Sequence, residues 1–285
     1  MNKILACIDD SLYAETVCAG AAWVSNRTGA AVALLHMFPP PPQRASLDLS
    51  GAIGLGAKSG LLAQLTELDE THGRVEQRKG KLILSHAEQQ LRAAGVQHIE
   101  VLHRRGSLVE AIGELEEQMD LIVMGKRGKR KQADVDSLEL GSNLERVARA
   151  VHKPLLVTAR AFRPIRRFMI AYDGSASTTK ALEYITRHPL LKGLECHVVM
   201  VGSVSAEIRS TLTQIATTLE GAGFGVHTAL KIGARDEVIT AYVEAKEMDL
   251  IVMGAYRHSR IHDLFTGSTT TSVIRSCRVP LLLFR

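Results

Sequence analysis

Gly254 closes an apolar run, Leu250 to Met253, and the triplet Gly267-Ser268-Thr269 follows after a polar stretch. These residue types in this order suit one chemistry, the cradling of a phosphate. Glycine lets backbone approach a phosphate without an intervening Cβ, and hydroxyls and N–H groups at a helix start can then hold it. Asp173 ends an earlier apolar run and is placed to accept hydrogen bonds from a ribose. Each residue also has a plainer reading. Asp173 can cap a helix beside Gly174 and Ser175, and Gly254 can simply permit a turn. What favours the phosphate reading is that the whole set occurs twice.

The chain repeats itself. "DLIVMGKRG" at Asp120 returns as "DLIVMGAYR" at Asp249, and "GSNLERVARAVHKPLLVTA" at Gly141 returns as "GSTTTSVIRSCRVPLLLFR" at Gly267. "KILACIDDS" at Lys3 answers "RFMIAYDGS" at Arg167. The anchors keep their order, and the basic stretch "ARAFRPIRR" with Pro164 separates them. Internal repetition of this kind sets the organisation before any residue-level reading. Two domains are expected, 1–160 and 165–285.

Each half alternates apolar strand-like runs with helical periodicity. In the first half the strands are expected near Ile4–Ile8, Val32–Met37, Ile99–His103, Leu121–Met124 and Leu155–Thr158. In the second they are expected near Phe168–Tyr172, Cys196–Val201, Val226–Lys231, Leu250–Met253 and Leu281–Phe284. The strands are apolar throughout rather than alternating, as when helices cover both faces of a sheet. The expectation is an α/β fold of doubly wound parallel sheets. Ligands in such sheets lie at the carboxyl ends of the strands, where strand order reverses. Asp173 and Gly254 would flank that crevice, with Gly267-Ser268 presenting a helix N-terminus across it.

The halves differ in length. Asp9 to Asp120 spans 111 positions and Asp173 to Asp249 spans 76, so the first half carries about 35 extra residues near 39–73. This insertion opens on "PPPPQ" and contains "SGAIGLGAKSG", which points to a long, partly mobile loop.

Composition narrows the field. The 285 residues are 46% hydrophobic and 23% charged, ordinary for a globular protein. The net charge of +5 is spread out apart from "GKRGKRK", and aromatics make up only 4%. That argues against a base-stacking platform and against dedicated nucleic-acid binding. The four cysteines, Cys7, Cys18, Cys196 and Cys277, form no CxxC pair. Scattered thiols, an acidic pair immediately after "MNKILACI", and no apolar run of the roughly 18 residues a membrane helix needs lead to a soluble cytoplasmic protein as the expectation.

Both halves resemble universal stress protein domains, so the chain looks like a tandem member of that family. Members that bind ATP carry G-x2-G-x9-G-[ST] after the fourth strand. In the second half Gly254, Gly267 and Ser268 match at that spacing, with Arg257 where the second glycine is expected. In the first half Gly125, Gly128, Gly141 and Ser142 supply every residue type, but twelve residues separate Gly128 from Gly141 instead of nine. The resemblance implies strand order 3-2-1-4-5 in each half, pairing of the halves through their last strands as a pseudo-dimer, and a nucleotide contact from Asp173, or Asp9 in the first half. It further implies an adenine-reading backbone position at Val201, or at Met37. The second-half set is therefore Asp173, Val201, Met253, Gly254, Arg257, Gly267, Ser268 and Thr269. The weaker first-half set is Asp9, Met37, Gly125, Gly128, Gly141 and Ser142. Second-half spacing fits better, so that half is the preferred site.

Other chemistry is less supported. His258 and His262, with Asp263, have i, i+4 spacing but no evident third ligand, and no metal site is assigned. No nucleophile elbow and no GxxxxGK[ST] loop is present, so no catalytic residue is assigned. The function expected is regulatory binding of an adenine nucleotide, ATP first and ADP or AMP as alternatives, with Mg allowed for. A slow ATPase or a ligand-free scaffold are the competing readings. Beyond the nucleotide, the expected partner is an unidentified regulatory protein, with a further homodimer left open and neither nucleic acid nor membrane.

Overall fold

The computed structural model describes residues 2–38, 55–128, 141–255 and 269–285, with side chains for all of these except 55–66 and 142. The first half runs β1 (Lys3–Ile8), α1 (Ala14–Thr28), β2 (Ala31–Phe38), α2 (Leu55–Ala93), β3 (Ile99–Arg105), α3 (Leu108–Leu115), β4 (Leu121–Gly125), α4 (Ser142–Ala150) and β5 (Leu155–Thr158). The second runs β6 (Arg167–Tyr172), α5 (Ala176–Arg187), β7 (Glu195–Val201), α6 (Ala206–Gly221), β8 (Val226–Lys231), α7 (Arg235–Ala245), β9 (Leu250–Gly254), α8 (Thr269–Ser276) and β10 (Leu281–Phe284).

All ten expected strands form, and they join one sheet in the order β3-β2-β1-β4-β5-β10-β9-β6-β7-β8. Each half has the expected 3-2-1-4-5 order with parallel pairing. The halves meet through the antiparallel pair β5–β10, where Leu281 faces Val157, Leu282 faces Leu156 and Leu283 faces Leu155. The two last strands would otherwise leave a row of unpaired backbone groups at an edge, and pairing them removes it.

The alternation of side chains along each strand sorts the core into two layers. Ile4, Ala6 and Ile8 pack with residues of α1, α2, α5 and α6 on one face. Leu5 and Cys7 pack with residues of α3, α4, α7 and α8 on the other. Both faces are covered, which is why β1 reads KILACI with five of six residues buried. The repeated aspartates serve the frame. The Asp120 carboxylate accepts from the N–H groups of Asn2 and Lys3, and Asp249 accepts from those of Arg166 and Arg167. Each ties the start of its half's first strand to the start of the fourth. Across the seam, Lys126 donates to the Cys277 carbonyl and Arg285 to the Arg149 carbonyl.

The insertion departs from the loop expected of it. Residues 39–54, with the proline run, lie outside the described residues, but 55–73 are helical and lengthen α2 to 39 residues, against 16 for α6. "LLAQLTELDE" is dense in strong helix formers. An interior glycine costs only about 1 kcal/mol relative to alanine, so Gly56, Gly60, Gly73 and Gly80 weaken the helix without ending it. Among the described residues no helix is long and apolar enough to cross a membrane.

Candidate functional site

Strand order reverses between β1 and β4, which are hydrogen-bonded neighbours. At their carboxyl ends lies a cavity of about 570 Å³. Its lining includes Asp9, Met37, Gly125, Gly128 and Gly141 of the expected first-half set, together with Lys126, Arg127 and Asn143. Of the side chain of Ser142, the sixth member, nothing is described.

Each of the three glycines has a close neighbour at its Cβ position. A Cβ on Gly125 would come 2.5 Å from Cβ of Tyr13, and one on Gly128 would come 2.8 Å from Oδ2 of Asp9. Gly141 donates its N–H to the Lys126 carbonyl at 3.1 Å, and a Cβ there would meet Lys126 O and Arg127 Cα at 3.3 Å. The backbone either side of the long segment is thus drawn together at its base. The three extra residues between Gly128 and Gly141 do not prise the glycines apart. Leu144 and Glu145 donate to the Gly141 carbonyl and start α4, whose positive N-terminal end borders the cavity.

Two features of this crevice escaped the sequence reading. The lengthened α2 forms one wall, with His72, Glu76, Lys79, Gly80 and Ile83, and Lys79 pairs with Asp10. His36 of β2, in the lining, and half-buried His103 of β3 are register partners with ring centroids 5.3 Å apart. Among the described residues, His36 Nδ1 and His103 Nε2 find no hydrogen-bond partner. Burial lowers both pKa values; His103 lowers His36 further, and Asp9, Glu76 and Asp10 pull it back up. The sequence signal was the His at matching positions of two adjacent strands.

Lys126 occupies the loop beside Gly125 and is only 7% exposed. Burial drops its pKa to about 8, with the Cys277 thiol opposing this and Arg127 adding to it. Lys126, Arg127 and Gly128 also line a second cavity of about 1060 Å³ between the halves, opposite Arg275, Cys277 and Arg278.

In the second half β6 and β9 are likewise neighbours. Asp173 follows β6, but its Oδ1 accepts from the Ser175 N–H and the Thr178 hydroxyl, both at 3.0 Å, while Ser175 Oγ caps α5. Ser175 is thus the cap of α5, and these two bonds of Asp173 brace the turn that leads into it. Gly254 lies under Ser177, whose Cβ would be 3.0 Å from an added Cβ, and its carbonyl accepts from Thr270. Val201 ends β7 half-buried and Thr269 opens α8. Met253 is 5% exposed and packs in the core under α7 and α8. Arg257, Gly267 and Ser268, and with them His258, His262 and Asp263, lie outside the described residues.

Comparison with known proteins agrees with this architecture. The pattern of the universal stress protein family matches residues 1–159 and 202–285. A universal stress protein of Synechocystis sp. is 38% identical over 289 residues, covering all of both chains. A universal stress protein structure from Archaeoglobus fulgidus superposes with a TM-score of 0.70 at 23% identity, covering 100% of this chain and 98% of that one. One from Pseudomonas aeruginosa superposes at 0.63 with 16% identity, covering 100% and 93%. At such identities the two structures speak for the fold alone.

Proposed function

This chain belongs to the universal stress protein family, and from that premise we propose that it is a regulatory protein that binds an adenine nucleotide, ATP before ADP or AMP, in the crevice between β1 and β4. The observation that carries the proposal is the approach of Gly141 to the Lys126–Gly128 backbone with Asp9 beside it. Backbone held this closely, flanked by glycines and next to a helix N-terminus, suits a phosphate. Arg127 supplies positive charge at the same mouth. Asp9 is positioned for the ribose, and the backbone at Met37 for the adenine edge. Mg can accompany the phosphates. Domains of 1–160 and 165–285, a cytoplasmic setting and a protein partner that senses the occupied loop belong to the same reading.

The second half is the other reading, favoured by the spacing of Gly254, Arg257, Gly267 and Ser268. The two are separated by calorimetric titration of ATP into wild type, Asp9→Ala, Gly141→Val and Asp173→Ala. The first-half site expects losses of about tenfold or more for Asp9→Ala and Gly141→Val and little change for Asp173→Ala. The reverse pattern transfers the site to the second half. Absence of ATP, ADP and AMP binding in wild type sinks both. Turnover is read separately, by identifying the nucleotide released from purified, denatured protein: ATP means storage, and ADP brings back the slow ATPase.

A further inference from the structure

We propose that Glu195, His197 and His227 form a binding site for a divalent transition metal of the zinc class, on the outer strands of the second half. The site is independent of the nucleotide crevice. It lies at the amino-terminal ends of β7 and β8, whereas the crevice lies at the carboxyl ends. Glu195 and His197 are two apart on β7 and so share a face. His227 of β8 is the register partner of His197 and points to that same face.

One donor atom from each of the three lies within 4.8 Å of the others. Glu195 Oε1 is 2.8 Å from His197 Nε2 and 3.5 Å from His227 Nε2. Tetrahedral zinc with bonds of about 2.0–2.2 Å sets its ligands about 3.3–3.5 Å apart. The observed spacings need only small side-chain rotations to reach that. Two imidazole nitrogens and one carboxylate oxygen form a recognised zinc donor set and match metals of intermediate softness. His227 and Glu195 side chains are 63% and 44% exposed, so both can adjust, and a fourth position faces solvent. His197 is the fixed member: it is buried, and its Nδ1 lies 2.8 Å from the Tyr242 hydroxyl on α7. A partner on the other ring nitrogen is what orients a ligating histidine.

The fold does not require this cluster. By the matching registers of β1–β2 and β6–β7, and of β2–β3 and β7–β8, the first half has Ala31, Ala33 and Glu100 at the three positions. A plain hydrogen-bonded chain from Tyr242 through His197 to Glu195 accounts for two of the residues without a cation. It reaches His227 only through the 3.5 Å approach of its Nε2 to Glu195 Oε1, so the test turns on that residue.

Full-length protein stripped with chelator is titrated with cobalt(II) chloride, followed by the visible ligand-field band, and then with zinc chloride as competitor. The expected result is one saturable site per chain, displaced by zinc. His227→Ala and Glu195→Gln should each lower affinity at least tenfold, Tyr242→Phe about tenfold, and the double change His258→Ala with His262→Ala hardly at all. A thermal melt without metal checks folding; His227 is exposed enough for its variant to match wild type. No saturable band, or a band that survives both His227→Ala and Glu195→Gln, overturns the site and leaves a hydrogen-bonded chain.

Discussion

Gly141 N–H donates to the Lys126 carbonyl at 3.1 Å, across a segment that the sequence makes three residues longer than the family spacing. If ATP binds here as proposed, this contact decides whether binding depends on closure at the base or on segment length. A Cβ at Gly141 would press on Lys126 O and Arg127 Cα at 3.3 Å, so Gly141→Ala should loosen the contact and weaken ATP binding several-fold, with Gly141→Val worse. Deleting three residues between 130 and 138 should leave ATP affinity within about twofold, because loop length costs little once the ends are fixed. If the deletion abolishes binding while Gly141→Ala is silent, length and not closure governs the site.

Gly80 is the point where α2 crosses buried His36 and half-buried His103. An added Cβ would sit 2.4 Å from His103 Nε2 and 2.8 Å from His36 Nδ1. Gly80→Ala should therefore destabilise by about 1–3 kcal/mol through overpacking, despite the better helix propensity of alanine. Gly113, inside α3 with nothing within 4 Å of its Cβ position, provides the control. Gly113→Ala should stabilise by about 0.5–1 kcal/mol. Urea unfolding of the two variants reads the opposite signs directly, and two stabilising changes would refute the steric account.

Burial raises the thiol pKa of Cys7, Cys18 and Cys196 to about 12, and all four cysteines are buried. The thiolate is the reactive form, so native protein should resist alkylation. Mass spectrometry after brief iodoacetamide exposure should show almost no adduct in buffer and four in denaturant. Rapid native labelling at any one cysteine would mean that its element opens.

The strands were legible because an apolar run covered on both faces has few other fates. The pairing of β5 with β10 was implied by the family resemblance, and it removes two unpaired edges. The helical part of the insertion was not legible, since glycine and proline at its start outweighed the helix formers behind them. Asp173 shows how one residue type serves two ends: a carboxylate beside Gly174 and Ser175 suits both a turn into a helix and a ribose, and its bonds to Ser175 and Thr178 leave the ribose role a proposal. The grouping of Glu195, His197 and His227 was hidden for another reason. Glu195 and His197 are neighbours on a strand, but His227 comes thirty positions later and joins them only through the β7–β8 register.

His36 and His103 set a pH dependence. Their folded pKa values are lowered, mainly by burial, while an unfolded histidine titrates near 6.5. Between the folded and unfolded values the unfolded chain holds more protons, so stability rises with pH there. Stability is thus complete above about 6.5 and falls as pH drops below it, until the folded histidines also protonate. Asp9, Asp10 and Glu76 limit the effect at His36, and Lys81 adds to it at His103. The melting temperature should fall between pH 7.5 and 5.5 in wild type, and fall less in His36→Gln. Equal falls in both proteins would remove His36 from the account.

The seam between the halves sets the last expectation. Leu156 and Leu282 face each other across β5–β10 and are each 1% exposed. Truncating either to alanine should cost about 2–5 kcal/mol, as for other buried leucines. Because both core layers run through the seam, each half alone would expose an apolar edge strand, and such edges seek partners. Cutting the chain at Arg163 and co-expressing the pieces should return a one-to-one complex that elutes with the intact protein. Expressed singly, each piece should self-associate or precipitate. Two pieces that stay monomeric and fold independently would show that the seam is dispensable, and that covalent linkage alone keeps the halves together.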